Sequence, residues 1–460
     1  MIRHATNPHL YHRLRTRWSH LSTLLLLFWT ALVYHFERHI WASSLRACSW
    51  ESWERWPTGA TPYRLALVAD PQLVDIHMYA WRGLSMAATI FYGDLYLSRA
   101  WDSLHRELVP AETYFLGDLF DGGREWAAAE DAPHDPCEAQ DWREMGMGYW
   151  LDEFRRFTML FPAPAGVRVK ASVPGNHDLG FGDGVRANVR TRFEAFFGTG
   201  NDRWHAGNHT FISVDVVSLS NEQDEKIYGP PRQFLDSLSR GETKPAKLPH
   251  IVETPSSPSP SLTSAETKQK QELPTVLLSH VPLYRTADMA CGPHREKGAA
   301  IPLSRGYQYQ NVLTPTVSSE LLAATNARYV FSGDDHDACD VMHDTTVREW
   351  TVKAFSPNMG VRKPGVELIS LWNPDPSRKD GETLQAKLCL LPDQIGMWLK
   401  YALAFVGTVM VVVMTEARRL PLVKPASSRG CTAFIVEVLE KLAVVAVPVL
   451  AWYGVLLWRW

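Results

Sequence analysis

Five short apolar runs in this chain each end on residues of the kind that bind metals, and that recurrence limits the folds open to it. The runs are 64–69, 114–116, 167–173, 275–278 and 329–331. Each reads as a buried strand, because runs of this length bounded by Gly, Pro and Asp are too short for core helices. The first ends at Asp70-Pro71-Gln72 and the second at Gly117-Asp118-Leu119-Phe120-Asp121-Gly122-Gly123-Arg124. The third ends at Pro174-Gly175-Asn176-His177-Asp178, the fourth at Ser279-His280 and the fifth at Ser332-Gly333-Asp334-Asp335-His336. In an α/β sheet, ligands sit in the crevice beyond the carboxyl ends of strands. A Gly-Asp pair after one strand is ordinarily just a turn; five such ends in one chain predict a single polar site. Helical spacing over 85–108 and 142–160 supplies flanking helices, and 211–216, 349–354 and 366–372 read as further strands.

Two other features bear on where such a domain sits. The net charge of -3 gives no reason to expect a nucleic-acid partner. Three long apolar runs lie outside the strand-bearing region, and Trp18, Trp398 and Trp458 flank them as interfacial anchors do. We read 18–36, 395–414 and 442–458 as transmembrane helices, with Lys400 near enough to a run's end to snorkel. The first run is read as an uncleaved anchor: Glu37, Arg38 and His39 follow it directly, and no clean small-residue cleavage site adjoins it. Arg3, Arg13, Arg15 and Arg17 precede it, and Arg418, Arg419, Lys424, Arg429 and Lys441 fall between the other two. The positive-inside rule then makes 1–17 and the 415–441 loop cytoplasmic and places a 60–392 domain in the lumen.

Six cysteines are too few for a disulfide framework. Five of them, Cys48, Cys137, Cys291, Cys339 and Cys389, would be lumenal, where pairing is permitted; an odd number leaves at least one unpaired. Asn208-His209-Thr210 is a glycosylation sequon on that side. The stretch 240–274, rich in Pro, Ser, Thr and Lys, reads as a disordered insertion.

Taken in order, D-x-Q, G-D-x-x-D-x-G-R, G-N-H-D, a lone His and G-D-D-H resemble the signature blocks of the calcineurin-like metallophosphoesterases, over most of 64–372. The resemblance is closer to the membrane-bound branch, of the fungal cell-division-control type. Its members remove ethanolamine phosphate from mannoses of GPI anchors in the secretory pathway, with manganese. It implies an α/β two-sheet sandwich flanked by helices, joined here to transmembrane helices. Carried over block by block, one metal takes Asp70, Gln72 and His336, the other takes Asn176, His280 and Asp334, and Asp118 bridges them. Such a pair of ions clamps the phosphoryl group and generates the nucleophile. His177 would be the general acid, with Asp121 holding its ring, and Arg124 would either bind a phosphoryl oxygen or brace its loop.

Two positions depart from the family pattern. Gln72 stands where a histidine is usual, and so does Asp334, so two imidazoles are replaced by oxygen donors. A set of two imidazoles and five oxygen-bearing residues is a harder site, which suits manganese better than zinc. Elsewhere, Asp75, His77, His294 and Arg295 are candidate cleft residues. His134, Asp135 and Cys137 read as an ordinary loop, and the region of Tyr307, Gln308, Tyr309 and Gln310 as packed surface.

The expectation is therefore a multi-pass enzyme of the endoplasmic reticulum or Golgi membrane with a lumenal catalytic domain. Two divalent ions, Mn2+ by donor chemistry, would be its cofactors. GPI glycolipid or GPI-anchored proteins would be its substrates, and the bilayer its other partner. A lumenal phosphatase of other phosphoesters and a non-catalytic receptor for GPI-linked cargo are the alternatives.

Overall fold

The computed structural model describes residues 19–76, 78–79, 81–125, 136–241, 273–306, 308–375, 381–418 and 428–458, with the side chains of 136–145, 428–431 and 458 excepted. The chain divides into two compact units, one formed by Ser44–Pro392 and the other by Met1–Ser43 with Asp393–Trp460.

In the larger unit the strands are, in chain order, β1 (Tyr63–Val68), β2 (Glu112–Phe115), β3 (Arg168–Lys170), β4 (Asp202–Ala206), β5 (His209–Ser213) and β6 (Thr275–Leu278). They continue with β7 (Arg305–Gly306), β8 (Tyr309–Gln310), β9 (Ala327–Ser332), β10 (Cys339–His343), β11 (Val347–Thr351), β12 (Gly365–Leu371) and β13 (Leu384–Leu390). One sheet has the order β13-β12-β1-β2-β3, a second β10-β11-β9-β6-β5-β4, and β7 and β8 form a separate pair. Leu65, Leu67 and Tyr114 of the first sheet pack with Phe211, Val276, Leu278 and Phe331 of the second in one buried core. The sandwich is thus held by apolar side chains facing inward from both sheets. The mixed α/β architecture expected from the strand runs is present.

β1, β2 and β3 run parallel, as do β5, β6, β9 and β11. Parallel neighbours bring their carboxyl ends to the same edge, which is why residues from distant parts of the chain meet there. A parallel bridge from Ala69 to Ala354 links the strand ends of the two sheets at that edge. The helix Leu84–Glu107 returns the chain from β1 to β2, and Pro136–Leu160 returns it from β2 to β3.

Several boundaries differ from the sequence expectation. The run 167–173 gives a strand of only three residues, because the chain must turn toward Pro174. The run 211–216 leaves its strand at Ser213, and Asp215 caps a short helix Val216–Leu219 by accepting from the Ser218 amide. The insertion 240–274 lies almost wholly outside the described residues, as do His134 and Asp135.

The smaller unit is helical. His20–Tyr34 continues through a π-helical turn, His35–His39, into Ile40–Arg46; Gln394–Ala417 and Ser428–Trp458 complete the set. Within it Trp29 Nε1 donates to Thr408 Oγ1 (3.0 Å), Arg38 donates to the Leu456 carbonyl (2.8 Å) and Tyr401 donates to Glu37 (2.9 Å). Among the described residues one helix, Gln394–Ala417, is long and apolar enough to cross a membrane. Residues 428–441, read from sequence as part of a loop, begin the last helix instead.

Candidate metal centre

The ligand-type residues meet at the shared edge of the two sheets. His280, fully buried after β6, is the pivot. Its Nδ1 donates to the Leu116 carbonyl at 2.7 Å, which fixes the ring and leaves Nε2 facing the site. Around Nε2 lie Asn176 Oδ1 at 3.2 Å, Asp118 Oδ1 at 3.3 Å and Asp334 Oδ1 at 3.5 Å. Asp70 Oδ1 is 3.9 Å from the same ring, on the Nδ1 side. Asp70, Asp118 and His280 can each offer a ligand atom within 4.8 Å of the others.

Each oxygen is aimed by a second contact. The Asn176 amide nitrogen donates to the Gln308 carbonyl (3.0 Å), which turns Oδ1 inward. The Gln72 amide nitrogen donates to Asp121 Oδ1 (2.8 Å), leaving Gln72 Oε1 buried with no hydrogen-bond partner. Asp70 Oδ2 is likewise buried and unpartnered, while its Oδ1 accepts from the Asp334 amide (3.1 Å). Asp118 Oδ1 accepts the His177 amide at 2.8 Å.

The backbone is strained where the ligands leave it. Asp70, Gln72, Asp118, Asp334 and His336 all have positive φ, between 32° and 65°. L-residues bear that conformation only where surrounding structure imposes it, and such strain concentrates at functional sites. Gly117 and Gly175 allow the close approach: a Cβ on Gly117 would lie 2.5 Å from His280 Nδ1, and one on Gly175 would lie 2.0 Å from Asp118 Oδ1.

Electrostatics shows what the cluster needs. Burial, together with the charges of its neighbours Asp118 and Asp334, pushes the Asp70 carboxyl well up, and burial pushes Asp334 up too. Burial works against the Asp118 carboxylate as well, yet His280 and His177 hold it below the usual range. His280 is raised despite its burial, by Asp118 and Asp334, whereas burial depresses His177 and takes His336 down to about 3. With Nδ1–H committed to Leu116, a neutral His280 would turn a lone pair toward three oxygens within 3.5 Å. That convergence of acceptors holds either a proton on Nε2 or a metal ion in its place. The oxygen-rich donor set, with two buried orphan oxygens, fits divalent metal ions held by Asp70, Gln72, Asp118, Asn176, His280, Asp334 and His336.

Two sequence readings take a definite form in the structure. Asp121 holds the His177 ring as expected, through its backbone carbonyl, which accepts Nδ1–H at 2.7 Å; its carboxylate lies 3.6 Å from the same nitrogen. The carboxylate orients Gln72 by accepting its amide N–H, as a carboxylate does for the free N–H of a ligating histidine. Arg124, left open between phosphate binding and bracing, braces: it donates to Glu125 (2.7 Å) and to the Asn176 carbonyl (3.0 Å). Of the other cleft candidates, Arg295 is committed to Asp335 and Asp75 accepts the Gly122 amide (3.0 Å). His77 and Tyr307 lie outside the described residues.

Asp178 and Gln308 were missed as organisers. The Asp178 carboxylate accepts from the Leu119, Phe120 and Gly175 amides (3.0, 3.2 and 2.8 Å), clamping the Asp118 and Asn176 loops together. Its place beside His177 was the available signal. Gln308 bonds the Phe181 amide (2.8 Å) and the Gly184 carbonyl (3.2 Å) from a loop over 130 positions away in sequence from Asn176, which no local pattern reveals.

The family model described as calcineurin-like phosphoesterase matches residues 64–338. The chain belongs to this family. It is a metal-dependent phosphoesterase, and the family supplies two divalent ions for the donor set just described. Cell division control protein 1 of Saccharomyces cerevisiae is 33% identical over 417 residues, covering 86% of this chain and 75% of the yeast protein. Metallophosphoesterase 1 of Ailuropoda melanoleuca is 29% identical, covering 71% of this chain and 72% of its own. A dimetal phosphatase from Danio rerio overlays 72% of the chain with a TM-score of 0.36 and 13% identity.

Proposed function

We propose that this phosphoesterase is a membrane-anchored phosphodiesterase that uses manganese to remove ethanolamine phosphate from a mannose of GPI anchors. Residues 60–392 would lie in the lumen of the endoplasmic reticulum or Golgi, with membrane helices at 18–36, 395–414 and 442–458. One observation carries the chemistry: oxygens of Asp70, Asp118, Asn176 and Asp334 gather around the buried His280, with the buried Gln72 Oε1 also unpartnered, beside a histidine that none of them uses as a partner through its ring. The substrate class rests on the resemblance to the membrane-bound branch. It is supported by a similarity to the yeast relative that spans 417 residues, more than the catalytic blocks alone.

When bound, the ions would supply the nucleophile and neutralise phosphoryl charge. The chain's own part is distinct. Asp118, fully buried and accepting the His177 amide, ties the ligand cluster to the acid loop. His177 Nδ1 is fixed on the Asp121 carbonyl, so its Nε2 is the atom that would deliver a proton to the departing mannose alkoxide. Gln72 and Asp334 contribute oxygen donors, so the hard manganese ion is favoured.

The test is turnover of defined GPI glycolipids by the purified full chain with manganese, zinc or no metal, read as released ethanolamine phosphate. Release with manganese is expected. No release by protein shown to bind two metals would sink the substrate assignment, and preference for simple monoesters would support a general phosphatase. A cargo receptor predicts instead that Asp118→Ala keeps full function in cells.

A further inference from the structure

The helix Leu84–Glu107 carries an apolar stripe that the catalytic unit leaves uncovered. Its inner face, with Tyr96, Trp101 and Leu104, is buried against the sandwich. On its first turns Leu84 is 91% exposed and Phe91 49%, with exposed Ala87 and Ala88 between them and Trp81, 46% exposed, just before. Positions 84, 87, 88 and 91 recur at helical spacing, so they form one continuous face. Monomeric soluble domains seldom leave such a face bare.

The same helix is fastened where the chain enters and leaves the unit. Tyr96 donates to the carbonyl of Pro392 (2.7 Å), the unit's last residue. Asp393 then caps the apolar helix Gln394–Ala417. At its other end Glu107 pairs with Arg46 (2.6 Å), and Trp50 donates to the Leu108 carbonyl (2.7 Å), a few residues after the unit begins at Ser44. The Cys48–Cys389 disulfide locks the two chain ends to each other. A helix tied to both exits is held near whatever surface those exits approach.

It is also joined to the metal centre. Arg156 pairs with Asp94 of the helix (2.6 Å) and donates to the Val74 carbonyl (3.0 Å), two residues beyond Gln72. Tyr79 stacks on Trp81, with ring centroids 4.1 Å apart and planes within 12°. Tyr79 thereby ties Trp81 to the chain segment that follows Gln72 and Asp75.

We propose that Trp81, Leu84 and Phe91 form a bilayer-docking surface that seats the mouth of the metal centre on the membrane carrying its substrate. This rests on the reading of a lipid-linked substrate given above. The occupant is lipid rather than a protein partner because the same helix, through Tyr96, holds the last residue before an apolar helix long enough to span a membrane. Its composition also points there: a tryptophan next to exposed Arg82 and an aliphatic-aromatic stripe is an interfacial pattern. Docking would remove the need to lift the whole glycolipid headgroup into solution.

The experiment uses the full chain in manganese-containing proteoliposomes of phosphatidylcholine and phosphatidylinositol. A benzophenone amino acid at position 84 or 91 should give lipid adducts on irradiation, and one at exposed Met342 should not. Crosslinks from 84 to residues 20–43 or 394–458, or no adduct at all, would overturn the proposal by showing a protein-covered or unused face. In parallel, Leu84→Glu with Phe91→Glu should lower kcat/KM for GPI substrate in the bilayer at least about tenfold. Turnover of soluble bis(p-nitrophenyl) phosphate should stay unchanged. Equal GPI turnover in variant and wild type would refute docking while leaving the catalytic reading intact. Should the wild type cleave no GPI at all, the substrate reading fails and the lipid adducts still decide the docking.

Discussion

His177 commits one ring nitrogen to the chain: its Nδ1 donates to the Asp121 backbone carbonyl at 2.7 Å, which leaves Nε2 for chemistry. The Asp121 carboxylate lies 3.6 Å from the same nitrogen, so the backbone carbonyl and not the side chain fixes the ring. If His177 delivers a proton to the leaving group, His177→Ala should lower kcat by about 10²–10⁴ on an alkyl phosphodiester. The loss should be much smaller with p-nitrophenol, which leaves without protonation; equal losses on both substrates would refute the role. Asp121 acts at one remove, through the 2.8 Å contact that aims Gln72. Asp121→Ala should therefore weaken manganese binding about 10- to 100-fold, measured by calorimetry, and Asp121→Asn, which keeps an acceptor oxygen, should recover most of it. Gln72 and Asp334 were readable as ligands because the strand ends repeat. Gln308 was not, because its work consists of backbone contacts that any polar residue can make, and Asp178 carried only one signal, its place beside His177.

At the scale of strands and loops, the apolar runs located most of the core strands, and the blocks located the edge where they converge. What escaped was set by tertiary context: β4, β10 and β13 lie at sheet edges, where β10 alternates buried and exposed positions and β4 buries only its two end residues. Glycine placement at the loops is equally invisible until the loops meet. Gly175→Ala would drive its methyl into the Asp118 carboxylate, and we expect loss of metal binding and activity in a chain that still folds, checked by metal content after gel filtration. β12 offers a different measurement. Burial, reinforced by the Asp340 charge, raises Glu367 to about 8, against 4.5 unfolded. The folded state thus keeps a proton that the unfolded chain releases between those values, so stability falls as pH rises from 4.5 through 8. Glu367→Gln should remove that loss: its melting temperature should exceed the wild type's by several degrees at pH 8, and the difference should vanish near pH 4.

For the whole molecule, the proposed lumenal placement of the catalytic unit is the decisive question. The sequence left cysteine pairing open; the fold pairs Cys48 with Cys389 and Cys291 with Cys339, while Cys137 lies outside the described side chains. The first closes 341 residues and the second 48, spans no periodicity could have joined. Disulfides of this kind persist in oxidising compartments and are rare in the cytosol. Asn208 gives an independent handle, since it is exposed in the turn between β4 and β5, though its amide bonds the Asn373 carbonyl (3.0 Å). If residues 60–392 are lumenal, non-reducing digests of protein from sealed microsomes should contain both crosslinked peptide pairs. Endoglycosidase should also shift the chain, and Asn208→Gln should abolish that shift. The insertion at 240–274 should resist external protease until detergent is added. Cleavage there in intact microsomes, with all cysteines alkylatable, would put the catalytic unit in the cytosol. That result would remove GPI glycans facing the lumen as substrates while leaving the metal chemistry of Asp118 and His280 untouched.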